Sequence, residues 1–245
     1  MINLILGPRR EKIMTIKSIS FDLDDTLWPL MPNIMKAEEV TNAWIKENYP
    51  GTATLLGTKD VIEIRDELIR NSPNLMNQIS ELRRLMFYEL NIRAGYKKEE
   101  SEEMAKEAFD IYFKVRNTVT FYEGVIDTLE LLKEKYSLGV VTNGNADLKI
   151  IGIDHLFDYC FSAADLSAHK PDPIMFEAVI DKTGLKANEI CHVGDHPIND
   201  VQGSFDCGIN PIWFNESGSE WPIKEISVVE FSKWNEFVSV LKKNF

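Results

Sequence analysis

Asp22 and Asp24 close a short apolar run, Ile19-Ser20-Phe21. Side chains of an extended chain alternate between faces, so this two-residue spacing sets two carboxylates side by side at a strand's carboxyl end. Like charges held so close raise one another's pKa unless a cation or a shared proton relieves them. The same pattern of an apolar run stopping in polar residues recurs downstream. Thr142-Asn143-Gly144 follows residues 137–141, Lys170-Pro171 lies in a loop after 159–162, and Gly194-Asp195 follows 190–193, with Asp200 just beyond. In a parallel sheet all carboxyl ends share one edge, so Asp22, Asp24, Asp195 and Asp200 should converge on Thr142 and Lys170. Four carboxylates against one lysine call for a divalent cation. An oxygen-only donor set, without histidine or thiolate, suits Mg2+.

Phosphoryl transfer fits such a site, because charge develops on equatorial oxygens and catalysis needs a cation, a lysine and hydrogen-bond donors around them. Lys170, the Thr142 hydroxyl and the backbone N–H groups of Asn143 and Gly144 are the candidate donors. Water or an aspartate must be the nucleophile; an aspartate would give an aspartyl-phosphate and split hydrolysis into two steps. The second aspartate could then protonate the leaving alcohol and later deprotonate water.

The elements that must position these groups are readable from periodicity. Residues 17–21 form the first strand, and Trp28 to Pro32, with two prolines, reads as a linker. From 33 to 117 the apolar residues recur at helical spacing in four stripes, through Ala37 and Ile45, Val61 and Leu68, Leu75 to Leu90, and Met104 to Val115. Strands then alternate with helices: a helix over 125–135, a strand over 137–141, a short helix, a strand over 159–162, a helix over 174–183, a strand over 190–193, a helix over 197–205, a strand over 211–214 and a last helix over 232–243. That alternation predicts a doubly wound, Rossmann-like parallel α/β sheet with a helical insertion. The expected division is a disordered N-terminal extension over 1–15, a catalytic core of 16–29 with 118–245, and the insertion at 30–117.

Composition narrows the function classes. A formal net charge of −12 over 245 residues argues against a nucleic-acid partner. No stretch approaches the roughly 18 apolar residues of a membrane span. The opening run of residues 1–7 is too short for a signal-peptide core, and Arg9 and Arg10 follow it, so Met14 is a candidate start. Three cysteines, Cys160, Cys191 and Cys207, lack metal-ligand spacing and read as reduced core thiols of a cytoplasmic protein. The chain is expected to be a monomer or homodimer.

The four motifs, Asp22-Leu23-Asp24-Asp25-Thr26, Thr142-Asn143-Gly144, Lys170-Pro171 and Gly194-Asp195 through Asp200, stand in the order of the haloacid dehalogenase-like hydrolases, which the chain resembles from Thr15 onward. The resemblance implies Asp22 as nucleophile and Asp24 as general acid/base, Thr142 and Lys170 on the phosphate, and magnesium on Asp22, the Asp24 carbonyl and Asp195. Asp200 would orient Lys170 or a metal-bound water, and the helical insertion would be a cap that sets specificity. The dehalogenase branch lacks the second aspartate and magnesium, so Asp24 favours a phosphatase. Phe21 to Leu27, Thr142 to Ala146 and His192 to Asp195 look most like bacterial phosphatases of flavin mononucleotide and of the phosphorylated ribitylamino-uracil of riboflavin synthesis. A small phosphorylated metabolite is the expected partner. Ala168-His169 before Lys170 departs from the small or apolar residues common there.

Neighbouring residues carry plainer readings as well. Asp25 is a turn residue whose carboxylate caps backbone N–H groups, and Thr26 braces that turn. Trp28 either stacks on a substrate ring or packs at the insertion's junction. Arg83 and Arg84 form a solvated charge pair, unless Arg83 reaches an anionic or planar substrate. Cys191 and His192 are core or near-core, His196 lies at the rim, and His155 and His169 carry no signal. The rival functions are a mutase or dehalogenase on the same scaffold, and a non-catalytic interaction protein.

Overall fold

The computed structural model describes residues 15–245. The extension preceding them, and Met14 as a start, lie outside the described residues. Six strands form one sheet: β1 (Ser18–Phe21), β2 (Ser137–Thr142), β3 (Tyr159–Ser162), β4 (Ile190–Gly194), β5 (Asn210–Phe214) and β6 (Val229–Phe231). Their order is β3-β2-β1-β4-β5-β6 and every neighbouring pair is parallel, which is the doubly wound α/β sheet expected. The winding direction reverses beside β1, so a crevice opens there at the carboxyl ends of β1 and β4.

Both faces of β1 are covered, and all four of its residues are buried. Ile19 and Phe21 join Val140, Val193, Ile212 and Phe214 in one apolar core. Trp234, Phe237 and Leu241 of the last helix close that core from outside. Ser18 and Ser20 face the other way, toward the layer built on Phe176 and Val179. Asp22, two residues after Ser20, therefore leaves the strand on this second face.

Between β1 and β2 the chain forms four long helices, α1 (Leu30–Asn48), α2 (Lys59–Asn71), α3 (Ile79–Arg93) and α4 (Lys98–Arg116). They pack around a small core of their own, including Ala37, Ile45, Phe87, Met104, Ala108 and Tyr112. One expectation fails at the entry: the linker expected to reach Pro32 ends at Pro29, because α1 starts at Leu30. Pro32 falls in the first helical turn, where its missing N–H breaks no helical bond. Asp25, in left-handed conformation (φ 58°), supplies the cap, its Oδ1 accepting from Leu30 N at 2.8 Å.

Beyond the insertion come α5 (Val125–Lys133), α6 (Pro173–Thr183) and α7 (Trp234–Asn244). The helix expected over 197–205 is instead a π-helical stretch, Pro197–Gln202, running into one α-turn, Gly203–Asp206. Strand β6 is too short to show a period and was not expected. The cysteines are unpaired, but only Cys191 is a core thiol. Cys207 is half-buried, and Cys160 is exposed because β3 is an edge strand.

Candidate active site

Sheet register sets the first layer of the site. Asp22 N donates to Val193 O at 2.8 Å, tying the residue just past β1 to the end of β4. Lys170, almost fully buried, places its Nζ 2.7 Å from Asp22 Oδ1 and 2.5 Å from Asp200 Oδ1. His192 Nε2 lies 3.0 Å from the same Asp200 oxygen, and its Nδ1 lies 2.9 Å from Ser20 Oγ. Asp200 Oδ2 accepts from His196 N at 3.0 Å. Such closeness needs glycine at position 194, where a Cβ would stand 2.2 Å from Asp200 Cγ.

Asp200 thus stands against Lys170, one of the two partners that the resemblance allowed it. Asp22, Asp195 and Asp200 each offer an oxygen within 4.8 Å of the others. With both Asp200 oxygens already accepting, Asp22 and Asp195 keep the freer coordination. Oxygen-only donors, mutually close and mostly buried, fit a small hard cation.

Electrostatics follow from burial. Asp22 is pushed up to about 8, chiefly by desolvation and further by Asp200 and Asp195, against the pull of Lys170. Asp195 rises to about 7, again first through desolvation and then through Asp200 and Asp25. Burial also works against the charge of Asp200, but Lys170 and the His192 hydrogen bond hold it below the usual carboxylate range. Burial pushes His192 down, which favours the neutral ring.

The loop after β2 forms the facing wall. Asn143 grips the lysine's backbone through its side chain, accepting from Lys170 N at 2.7 Å and donating to Lys170 O at 3.0 Å. Gly144 N donates to Thr142 Oγ1 at 3.0 Å, so this expected phosphate donor is already engaged, while the Thr142 hydroxyl proton stays available.

Asp24 lies apart from the three-carboxylate cluster. Its Oδ1 accepts from Trp28 Nε1 at 2.9 Å and its Oδ2 from Arg116 Nη2 at 2.5 Å. Trp28 is fully buried and set edge-on to Phe121, so no ring face is open to a ligand and the stacking role is corrected to packing at the junction. Arg83 is not brought to the carboxylates: partly exposed, its guanidinium lies 3.9 Å over the Tyr112 ring and 3.4 Å from Glu38. Thr26 does more than brace its turn, since Oγ1 donates to Asp195 Oδ1 at 3.2 Å.

Arg116 and Asn145 had no place among the expected site residues. Arg116 and Lys114 together read as a basic last turn that complements the helix dipole, and nothing in the spacing gives Arg116 an acidic partner 92 positions away.

A cavity of about 600 Å³ separates the insertion from the β2–β3 side of the sheet. Its walls include Asn143, Gly144 and Asn145, with Gln78, Ser80 and Phe113 opposite. The clustered aspartates do not line it.

A buried carboxylate–lysine cluster at the switch point of a parallel sheet, with a helical insertion after β1, defines a class of hydrolase. The chain belongs to the haloacid dehalogenase-like hydrolase family, whose profile matches residues 19–214. YigB of Escherichia coli (strain K12), a 5-amino-6-(5-phospho-D-ribitylamino)uracil phosphatase, is 25% identical over 230 residues, 92% of this chain and 96% of that protein. The (S)-2-haloacid dehalogenase 4A of Burkholderia cepacia is 35% identical over 104 residues, 40% of this chain and 45% of its own. The crystal structure of a 2-haloacid dehalogenase from Pseudomonas syringae pv. Tomato DC3000 matches with a TM-score of 0.90 at 34% identity, covering 94% of this chain and 99% of that one. The family read from the four motifs is the family found. Among the described residues no helix is long and apolar enough to cross a membrane.

Proposed function

We propose that the protein is a magnesium-dependent phosphatase of small phosphorylated metabolites that works through an aspartyl-phosphate on Asp22. The observation that carries this reading is the placement of Asp22 against Lys170, beside Asp195 and Asp200, with Asp24 fixed two residues on. Asp22, Asp195 and the Asp24 carbonyl would hold the metal. Bound there, Mg2+ offsets the crowded carboxylate charge and polarises the phosphoryl oxygens.

In the first step an Asp22 oxygen bonds to phosphorus, the bond to the leaving oxygen breaks, and Asp24 delivers its proton to that oxygen. In the second step water attacks phosphorus, Asp24 takes the water's proton, and Asp22 is regenerated as inorganic phosphate departs. Lys170 and the Thr142 hydroxyl donate to the equatorial oxygens throughout. The helices of residues 30–117 act as a cap that opens to admit substrate and release product.

Flavin mononucleotide or the ribitylamino-uracil phosphate is the substrate we favour. Supporting it are the likeness to YigB over nearly the whole chain and a cleft of metabolite size beside Asn143 and Gly144. The likeness to a 2-haloacid dehalogenase structure supports a second reading, in which Asp22 displaces halide from carbon. Asp24 weighs against it, because halide leaves without a proton. A mutase, or a protein without catalysis, has no feature in its favour.

A panel of phosphate esters with magnesium, including flavin mononucleotide, the ribitylamino-uracil phosphate, sugar phosphates and nucleotides, tests the choice when run beside 2-haloacids. Phosphate release should dominate, Asp22→Asn should abolish it, and trapped phosphate should map to Asp22. Halide release without phosphate release, or full activity in Asp22→Asn, would overturn the proposal.

A further inference from the structure

We infer that Arg116 is the positioning residue of Asp24, an inference that rests on the phosphatase reading. Arg116 is the last residue of α4, where the helical insertion returns to the sheet, and it is 1% exposed. Its Nη2 holds Asp24 Oδ2 at 2.5 Å, while Nε donates to Asn145 Oδ1 at 2.9 Å. Nη1 is buried and finds no acceptor among the described residues. That unmet nitrogen is a cost to stability rather than a gain, since buried polar groups are normally satisfied. The arginine is placed for what it does to Asp24.

The two grips on that carboxylate are unequal. Oδ2 is held by a charged donor and Oδ1 by the neutral indole N–H of Trp28, and charge-assisted hydrogen bonds are roughly twice as strong. Neither partner can accept a hydrogen bond. Oδ2 is thus the fixed oxygen.

Glycine at 144 permits the arrangement. A Cβ there would stand 2.4 Å from Asp24 Oδ2 and 3.3 Å from Thr142 Oγ1, so Arg116 presses the carboxylate directly against the loop expected to hold phosphate. Because Arg116 belongs to the insertion and Asn145 to the core, the aim of Asp24 is also tied to how the two meet.

The test uses kcat/KM, which reports steps up to phosphoryl transfer, on p-nitrophenyl phosphate and on alkyl phosphates. Arg116→Gln should lower kcat/KM roughly 10²-fold for alkyl phosphates, which need a proton on departure, and less than about tenfold for the activated aryl ester. Arg116→Lys should recover part of the loss. Asn145→Ala, which removes the guanidinium's anchor together with a hydrogen bond to Ser80 Oγ, should show the same leaving-group pattern at smaller size even if Arg116→Gln folds poorly. In an Asp24→Asn background, Arg116→Gln should add almost nothing.

Equal losses on both ester classes, or an unchanged loss in the Asp24→Asn background, would mean a purely structural arginine and would overturn the proposal. Wild-type protein inert toward every ester would sink the phosphatase reading first, and the positioning role with it. An active enzyme indifferent to Arg116→Gln would sink the positioning role alone.

Discussion

Two cations sit among acceptors in different parts of this molecule. Lys170 lies in the crevice at the ends of β1 and β4, with Asp22, Asp200 and, through Asp200, His192 around it. Arg83 lies in the insertion between the Tyr112 ring and Glu38. The lysine side chain is 2% exposed, while the arginine and its glutamate are 27% and 49% exposed. Burial converts the first arrangement into a commitment of the fold and leaves the second a surface contact.

The largest expected effect tests that difference directly. Lys170→Met leaves two buried carboxylates without their cation, and removing one partner of a buried pair costs about 3–5 kcal/mol. Arg83→Met forfeits an exposed ion pair and a cation–π contact, together on the order of 1 kcal/mol. Urea denaturation should show the gap, and phosphate release should vanish only in Lys170→Met. Equal shifts in the two variants would break the comparison.

Metal and pH sharpen it next. Without metal, Asp22 and Asp195 sit at about 8 and about 7, against an ordinary 3.8. Between these values the folded chain holds protons that the unfolded chain has released, so stability falls as pH rises through that window. Asp200 has the opposite sign, but its range lies below the window; His192, pushed down from 6.5, also has it, so the fall is unopposed only above that value. On the proposed reading magnesium displaces those protons, so the gain in Tm from added Mg2+ should be larger at pH 8 than at pH 6. Melting curves with Mg2+ and with chelator at both values would decide it. A gain independent of pH would place the metal away from Asp22 and Asp195.

The same contrast explains what the sequence made legible. Asp22, Asp195 and Thr142 stand at the ends of apolar runs, and a parallel sheet brings such ends together whatever lies between. Lys170 follows in a short loop and Asp200 in the π-helical stretch just past β4, both with little freedom to leave that edge. The neighbourhood of Asp24 was illegible: Arg116 reaches it from a helix end, and its approach is decided by how α4 packs, which one helix's periodicity does not encode. Trp28 failed in a similar way. A tryptophan beside two prolines suits a junction or a mouth equally, and only the tertiary contact with Phe121 separates them. The sixth strand, Val229–Phe231, was lost to brevity, since three residues cannot display a period of two.

The smallest expected effect concerns the seam where the insertion meets the core. Asn77 Nδ2 donates to Ser167 O at 2.9 Å and Gln78 Nε2 to Ala164 O at 3.1 Å, both exposed, and His169 Nδ1 lies 2.9 Å from Asn77 Oδ1. Hydrogen bonds of this kind contribute about 0.5–1.5 kcal/mol, with exposed ones at the low end because water replaces the lost partner. Asn77→Ala and Gln78→Ala should therefore shift the urea midpoint far less than Lys170→Met. Both residues line the cleft beside Asn143 and Gly144, so their loss should act on the substrate's path. KM should rise a few fold with kcat nearly constant, because closure over the substrate is weakened while Asp22, Asp24 and Lys170 keep their partners. A fall in kcat matching the rise in KM would mean that these surface contacts help to assemble the chemistry itself, and the line between a committed core and an adjustable insertion would have to be moved.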